Sequence, residues 1–255
     1  VAEHIAGSER AFADLMNQHA DLLGMKTSNF LNATGLPNDA HVSSAMDMAQ
    51  LARAIIQRYP QHYGVYSEKY FTYNKIRQPN RNKLLWRDKT VDGLKTGHTD
   101  AAGYCLVASA KREGMRLISV VMGTRSEEAR AQESQKLLSY GFRYYRTHQL
   151  YNANEALNSA TVWSGVQDQL KVGLSDPLAV TIPRGQVDQL EAVMDIDKVI
   201  KAPVVKGEVY GNVNILLNGE QVREVPLVAL EDIPEAGLLK RIWHAVMLFF
   251  VGLIG

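Results

Sequence analysis

Val91-Asp92-Gly93-Leu94-Lys95-Thr96-Gly97-His98-Thr99 is the stretch of this 255-residue chain whose residue types and order could do chemistry at a carbonyl. On an extended strand, a lysine, a threonine and a bare glycine in succession can set an ammonium, a hydroxyl and an unobstructed backbone N–H beside a substrate's carboxylate and carbonyl. Lys-Thr-Gly also recurs by chance, and taken alone it fits an edge strand running into a turn. Other chemistries find less support. The histidines stand at 4, 19, 41, 62, 98, 148 and 244, no two of them three or four apart, and Cys105 is the single cysteine, so a metal site of usual spacing is unsupported. Neither a Gly-rich phosphate loop nor a nucleophile elbow is present. Cys105, inside an apolar run, is expected to be an inert core thiol, and His19 a core or boundary residue.

The elements that must position the motif are legible around it. Immediately after it, Gly103 to Ala110 and Met115 to Met122, joined through Arg112-Glu113-Gly114, predict a β-hairpin. Both strands are apolar on both faces, which places them mid-sheet under helices on at least one side. Upstream, Phe12, Leu15, Met16, His19, Leu22 and Leu23 recur at helical spacing after Ser8, with Gly24 as the stop. Ser43-Ser44 can cap a second helix carrying Met48, Leu51, Ala52, Ile55 and Ile56 as far as Pro60. Val65, Tyr66 and Tyr70 to Tyr73 read as strand, followed by a polar stretch from Asn74 to Asn82. Ser126 with Glu127-Glu128 opens a long helix whose buried stripe is expected at Leu137, Leu138, Phe142 and Tyr145. The fold class expected for residues 1–150 is α+β or mixed α/β.

Composition divides the rest. With 28 basic against 27 acidic side chains the net charge is +1, which argues against a nucleic-acid binder, while 46% apolar and 22% charged residues are an ordinary globular balance. Residues 1–150 carry 20 Lys and Arg against 14 Asp and Glu, and residues 151–234 carry 6 against 12, so a boundary is expected near 150. Beyond it, Thr161–Trp163, Leu178–Ile182, Leu190–Val193, Val209–Leu217 and Gln221–Val228 recur as short strands, with Asn218-Gly219 as a two-residue hairpin turn, predicting a small all-β domain over 151–234. Residues 235–255 read as an amphipathic helix with an apolar run of about 13 residues, short of the roughly 20 needed to span a bilayer. Lys240, Arg241, Trp243, Phe249 and Phe250 suggest an interfacial anchor on an anionic membrane, and a core helix or oligomer contact is the alternative. The first residues have neither a basic nor a long apolar region, so no signal peptide is expected there, and without an initiator Met the chain reads as a mature form or a fragment.

Beyond the motif, Tyr73-Asn74-Lys75-Ile76-Arg77-Gln78-Pro79-Asn80-Arg81-Asn82-Lys83-Leu84-Leu85-Trp86, Val91 to Asp100, Ala102-Gly103-Tyr104, Leu106–Ala110, Leu137-Leu138 to Phe142-Arg143 and Thr181-Ile182-Pro183-Arg184-Gly185 closely resemble the D-alanyl-D-alanine carboxypeptidases of the penicillin-binding protein five group. The resemblance runs along essentially the whole chain. It implies a β-lactamase/transpeptidase-like first domain and removal of the terminal D-Ala from peptidoglycan pentapeptides through a seryl acyl-enzyme that β-lactams also form. It implies neither cofactor nor metal; with the terminal helix as an interfacial anchor, such an enzyme is expected in the periplasm, peripheral on the outer face of the bacterial cytoplasmic membrane. Lys95 and His98 match catalytic positions, the lysine drawing in the substrate carboxylate and the His98 backbone N–H serving as one oxyanion donor. Thr96, Gly97, Arg81 and Arg130 match substrate-binding positions; for the two arginines, structural salt bridges are an equal alternative. The family's other motifs, Ser-x-x-Lys and Ser-x-Asn, do not occur here. The chain therefore reads as the C-terminal part of such an enzyme, beginning just past the second motif, its partner being an upstream segment that carries the nucleophile. The rival expectation is a non-catalytic, membrane-docked homologue that binds a cell-wall component.

Overall fold

The structure, a computed structural model, describes the backbone of residues 1–254 and the side chains of residues 1–248. The chain divides into two units, one of residues 1–144 and one from Tyr145 onward. The division precedes 150 because a long helix ends at Tyr144 and the next strand pairs with Leu178–Pro183.

In the first unit, α1 (Ala2–Ala6) leads to α2 (Glu9–Leu22), where the Ser8 hydroxyl accepts the Ala11 N–H at 3.1 Å, and Gly24 follows at φ 74°. The buried face of α2 is not the expected stripe: Ala13 and Ala20, two turns apart, are buried, whereas Leu22 is 76% exposed and His19 lies on the exposed side. Ser44 caps α3 (Ala45–Arg58) by accepting the Asp47 N–H at 3.2 Å. Asp47 is itself buried. Burial alone would raise its carboxyl, but hydrogen bonds donated by Ser28 and by the Thr27 hydroxyl and N–H hold it below the ordinary range.

Pro60 opens α4 (Pro60–Tyr63), and Val65 and Tyr66 lie in a 3-10 turn rather than a strand. The strand signal resumes as β1 (Tyr70–Tyr73). Contrary to expectation, the polar stretch after it contains β2 (Ile76–Pro79), because Asn74 and Lys75 adopt left-handed conformations that close a tight hairpin. A short helix, α5 (Leu84–Arg87), precedes β3 (Val91–Thr99), β4 (Gly103–Arg112) and β5 (Met115–Thr124), an antiparallel sheet in that order. Only β4 is central; β5 lies at the edge among the described residues, against the expectation for both.

Side-chain alternation turns Leu117 to one face of the sheet and Ile118 and Val120 to the other. On the second face α3 packs Ala52, Met48, Ile55 and Ile56 against Leu94, Val107, Ile118 and Val120. On the first lies α6 (Glu127–Tyr144), where Gly141 comes so close that an added Cβ would stand 2.5 Å from Leu117 Cδ1. Ser126 caps α6, and its buried residues are Arg130, Ala131, Ser134, Leu138 and Phe142; Leu137, expected inside, is 51% exposed, and Tyr145 belongs to the next strand.

In the second unit β6 (Tyr145–Tyr151) pairs with β9 (Leu178–Pro183). A six-stranded sheet runs in the order β10 (Leu190–Ile196), β12 (Val209–Leu217), β13 (Glu220–Ala229), β8 (Gln169–Gly173), β7 (Ala156–Trp163) and β11 (Ile200–Lys201). Asn218 and Gly219 both take positive φ, as a two-residue hairpin between right-twisted strands requires. Leu170, Val172, Val213, Ile215, Leu227 and Ile233 form the fully buried centre. The chain continues into α7 (Leu238–Ile254), and no helix among the described residues is long and apolar enough to cross a membrane.

Candidate functional site

Lys95, Thr96, Gly97 and His98 occupy the outer end of edge strand β3 and line a cleft of about 550 Å³. The strand is held at its root. Asp92 accepts the Tyr63 hydroxyl at 2.9 Å and takes both Arg116 amino groups at 2.8 Å, and Arg116 reaches Ser109 at 2.6 Å. Burial pushes the Tyr63 hydroxyl up to about 12, so it stays a donor. Fully buried Asn82 donates to the Gly93 carbonyl at 3.0 Å and accepts the Leu84 N–H at 3.2 Å, which ties the preceding loop to β3 two residues before Lys95.

The cleft is cationic. Arg81, Lys95 and Arg130 line it, with Glu127 as its one carboxylate among the lining residues. Burial lowers the Lys95 ammonium below the usual lysine value, and repulsion from Arg81 and Arg130 adds to this. Lys95 Nζ donates to the Thr96 carbonyl. Arg130 is 3% exposed, and its guanidinium donates to the Gly97 carbonyl at 3.1 Å while facing Glu127 at 3.8 Å and the Tyr104 ring at 5.5 Å. That carbonyl shares a peptide plane with the His98 N–H, so Arg130 fixes the orientation of the donor. His98 lays its ring on Tyr104 with centroids 3.9 Å apart. At Gly97 an added Cβ would meet only Cys105, at an ordinary 3.8 Å. Internal packing therefore does not require glycine there.

The structure thus brings together Arg81, Lys95, Thr96, Gly97, His98 and Arg130. It also adds Thr34, Tyr104, Cys105 and Glu127. Cys105 is a correction: half-buried, it stands on the cleft wall rather than in the core, because the β3–β4 register pairs it with Gly97. Tyr104 follows from the same register, opposite His98. Glu127 was legible as the acid three residues before Arg130 on a capped helix, where it also pairs with Lys83 at 3.1 Å.

The terminal helix is a separate feature. Lys240 pairs with Asp168 at 2.8 Å and Arg241 with Glu235 at 2.7 Å, so both cations already have carboxylate partners within their unit. His244 accepts the Ser164 N–H at 2.8 Å and meets the Trp163 ring edge-on. Trp243 is 63% exposed, beside exposed Leu239, Ile242 and Val246. The side chains of Phe249 and Phe250 lie outside the described residues.

Comparison with known proteins follows the two units. Residues 1–126 match the family model of D-alanyl-D-alanine carboxypeptidase, and residues 145–235 that of the penicillin-binding protein 5 C-terminal domain. The chain is 42% identical to D-alanyl-D-alanine carboxypeptidase DacC of Escherichia coli, over 98% of this chain and 63% of that protein. It thus spans just under two thirds of the length of such curated relatives. Penicillin-binding protein 5 from Haemophilus influenzae superposes with a TM-score of 0.82 at 42% identity, over 92% of this chain and 69% of that one. Penicillin-binding protein D2 from Listeria monocytogenes in its ampicillin-bound form gives 0.51 at 34% identity, over 55% and 59%. Matched in both units and along nearly all of its length, the chain belongs to the D-alanyl-D-alanine carboxypeptidase family, in the branch of penicillin-binding protein 5.

Proposed function

We propose that the protein containing these residues is a serine-type D-Ala-D-Ala carboxypeptidase that trims the terminal D-Ala from peptidoglycan pentapeptides and is acylated by β-lactams. The observation that carries this is the cationic cleft along the Lys95–His98 edge of β3. Both ligands present a carboxylate next to the carbonyl under attack. Lys95 attracts that carboxylate and polarises the proton-relay network, and Thr96 hydrogen-bonds it. Gly97 permits close approach, and the His98 N–H stabilises the oxyanion as the seryl oxygen adds. Arg130 holds the peptide plane of that N–H, and Arg81 reinforces the positive field. The nucleophile comes from residues outside these 255, since no Ser-x-x-Lys occurs among them. The likeness to an ampicillin-bound relative supports the β-lactam reading.

The same proposal places the protein in the periplasm, peripheral on the outer face of the cytoplasmic membrane. The exposed apolar side of α7 supplies the attachment, each large side chain contributing about 1.5–3 kcal/mol when buried. Labelled penicillin tests the function. The full-length protein should form a stable adduct and these 255 residues alone none. Replacing Lys95 by Ala in the full-length protein should slow acylation by about 10²–10³ with folding preserved. Unchanged acylation by that variant removes the motif from the chemistry, and an unreactive full-length protein that still binds wall material favours the non-catalytic homologue.

A further inference from the structure

The hairpin of β1 and β2 presents aromatic surface that the cleft chemistry does not use. All eight of its strand residues are exposed. Its two faces differ. On one, Tyr70 meets Trp86 edge-on at 6.0 Å, and the Arg77 guanidinium lies over the Tyr70 ring at 3.7 Å, which anchors the hairpin to α5. On the other, Phe71, Tyr73 and Ile76 stand 67%, 72% and 59% exposed, and the rings of Phe71 and Tyr73 are parallel within 4° with centroids 6.5 Å apart. A two-stranded hairpin is marginal in water by itself, and an unsupported aromatic patch of this kind marks an interaction surface.

The hairpin is also fastened to the cleft. The Asn80 N–H donates to the Lys69 carbonyl at 2.8 Å, and the Asn80 side chain reaches the Glu68 carbonyl at 3.0 Å, closing the root of the two strands. Asn82 then ties the same segment to Gly93 on β3, and Arg81 between them lines the cleft. Surface and cleft are therefore continuous through three successive residues, with no flexible linker between them.

We propose that Phe71 and Tyr73 form a platform for the glycan strand that carries the stem peptide whose end enters the cleft. The proposal rests on the carboxypeptidase reading and deepens it, since it concerns the part of the substrate remote from the scissile bond. A pyranose ring directs polarised C–H bonds from its face, and these complement the negative face of an aromatic ring. Parallel rings on one rigid strand offer such contacts to a sugar chain with little ordering of the protein. Lys75, exposed in the turn that follows Tyr73, adds a cation at the end of the platform that suits a wall polymer bearing carboxylates.

The test uses the full-length protein with Phe71→Ala and Tyr73→Ala combined. Release of D-Ala from isolated pentapeptide-containing peptidoglycan should fall roughly tenfold. Cleavage of a short synthetic peptide ending in D-Ala-D-Ala, and acylation by penicillin, should stay within about twofold of wild type. Those two activities also report that the variant is folded, and Tyr73→Phe should retain wild-type activity on the polymer. Equal loss on polymer and peptide, or loss on neither, overturns the proposal. So does a wild-type dimer or vesicle binding that the double variant abolishes, because the patch then serves a second copy or a lipid surface. Co-sedimentation with glycan strands stripped of peptide separates the two readings. If the wild type cleaves no D-Ala-D-Ala peptide, the enzyme assignment fails; the platform stands only if glycan binding persists and is lost in the double variant.

Discussion

Asn82 lies where the fold and the site depend on the same side chain, and its replacement should be felt in both. It is fully buried and makes three hydrogen bonds: its amide to the Gly93 carbonyl, its carbonyl from the Leu84 N–H, and its own N–H to Asn80 Oδ1 at 2.9 Å. Asn82→Ala leaves the Gly93 carbonyl and the Leu84 N–H without that partner in the interior. At roughly 1–3 kcal/mol for each buried polar group left unsatisfied, the loss is about 2–6 kcal/mol, a large share of a domain stability of about 5–15 kcal/mol. Asn82→Asp is the sharper probe because its shape is unchanged. One carboxyl oxygen can still accept from Leu84, but the other faces the Gly93 carbonyl and can donate only when protonated. The folded state therefore raises that carboxyl, so the stability this bond supplies is present below about pH 3.9 and declines as pH rises through the elevated value, by about 1.4 kcal/mol per unit. Urea unfolding of the full-length protein, followed at pH 4 and pH 7 with penicillin acylation as a reporter of the first unit, measures both effects. A loss below about 1 kcal/mol for Asn82→Ala, or no pH dependence in Asn82→Asp beyond that of wild type, refutes the role assigned to this residue.

The alkaline limb of the acylation rate should fall below the ordinary lysine range, because Lys95 acts as an ammonium whose charged form burial disfavours, with repulsion from Arg81 and Arg130 adding to it. Arg81→Gln removes one of those cations and should move the limb to higher pH; a limb that stays in place or moves down contradicts the assigned charge state. Deleting residues 238–255 should shift the full-length protein from the membrane to the soluble fraction with penicillin binding intact, and continued sedimentation with anionic vesicles would place the attachment elsewhere. Because Lys240 and Arg241 are paired with Asp168 and Glu235, Lys240→Gln should weaken vesicle binding far less than Trp243→Ala, which removes an exposed apolar group.

Much of this architecture is local, and the sequence by itself determined it. Ser8, Ser44 and Ser126 cap helices because a hydroxyl before a periodic run satisfies free N–H groups, and Asn218-Gly219 turns because its two residues tolerate positive φ. The Lys95-Thr96-Gly97 run was visible for the same reason, as three consecutive residues on one strand. Burial was less legible. Periodicity assigned Leu22 and Leu137 to the interior, yet the faces that pack carry Ala13, Ala20, Arg130 and Ser134, since close approach favours small residues and a buried guanidinium needs acceptors that only another element supplies. The hairpin that closes at Asn74-Lys75 leaves little trace in the sequence, because its second strand, Ile76–Pro79, carries no apolar alternation and its turn holds no glycine. Only the tertiary structure decided that Arg81 and Arg130, 14 residues before Lys95 and 35 after it, share a cleft with it, and that Cys105 lines its wall. Those neighbours are set by strand register and helix packing, which pair residues distant along the chain and leave no periodic trace in it.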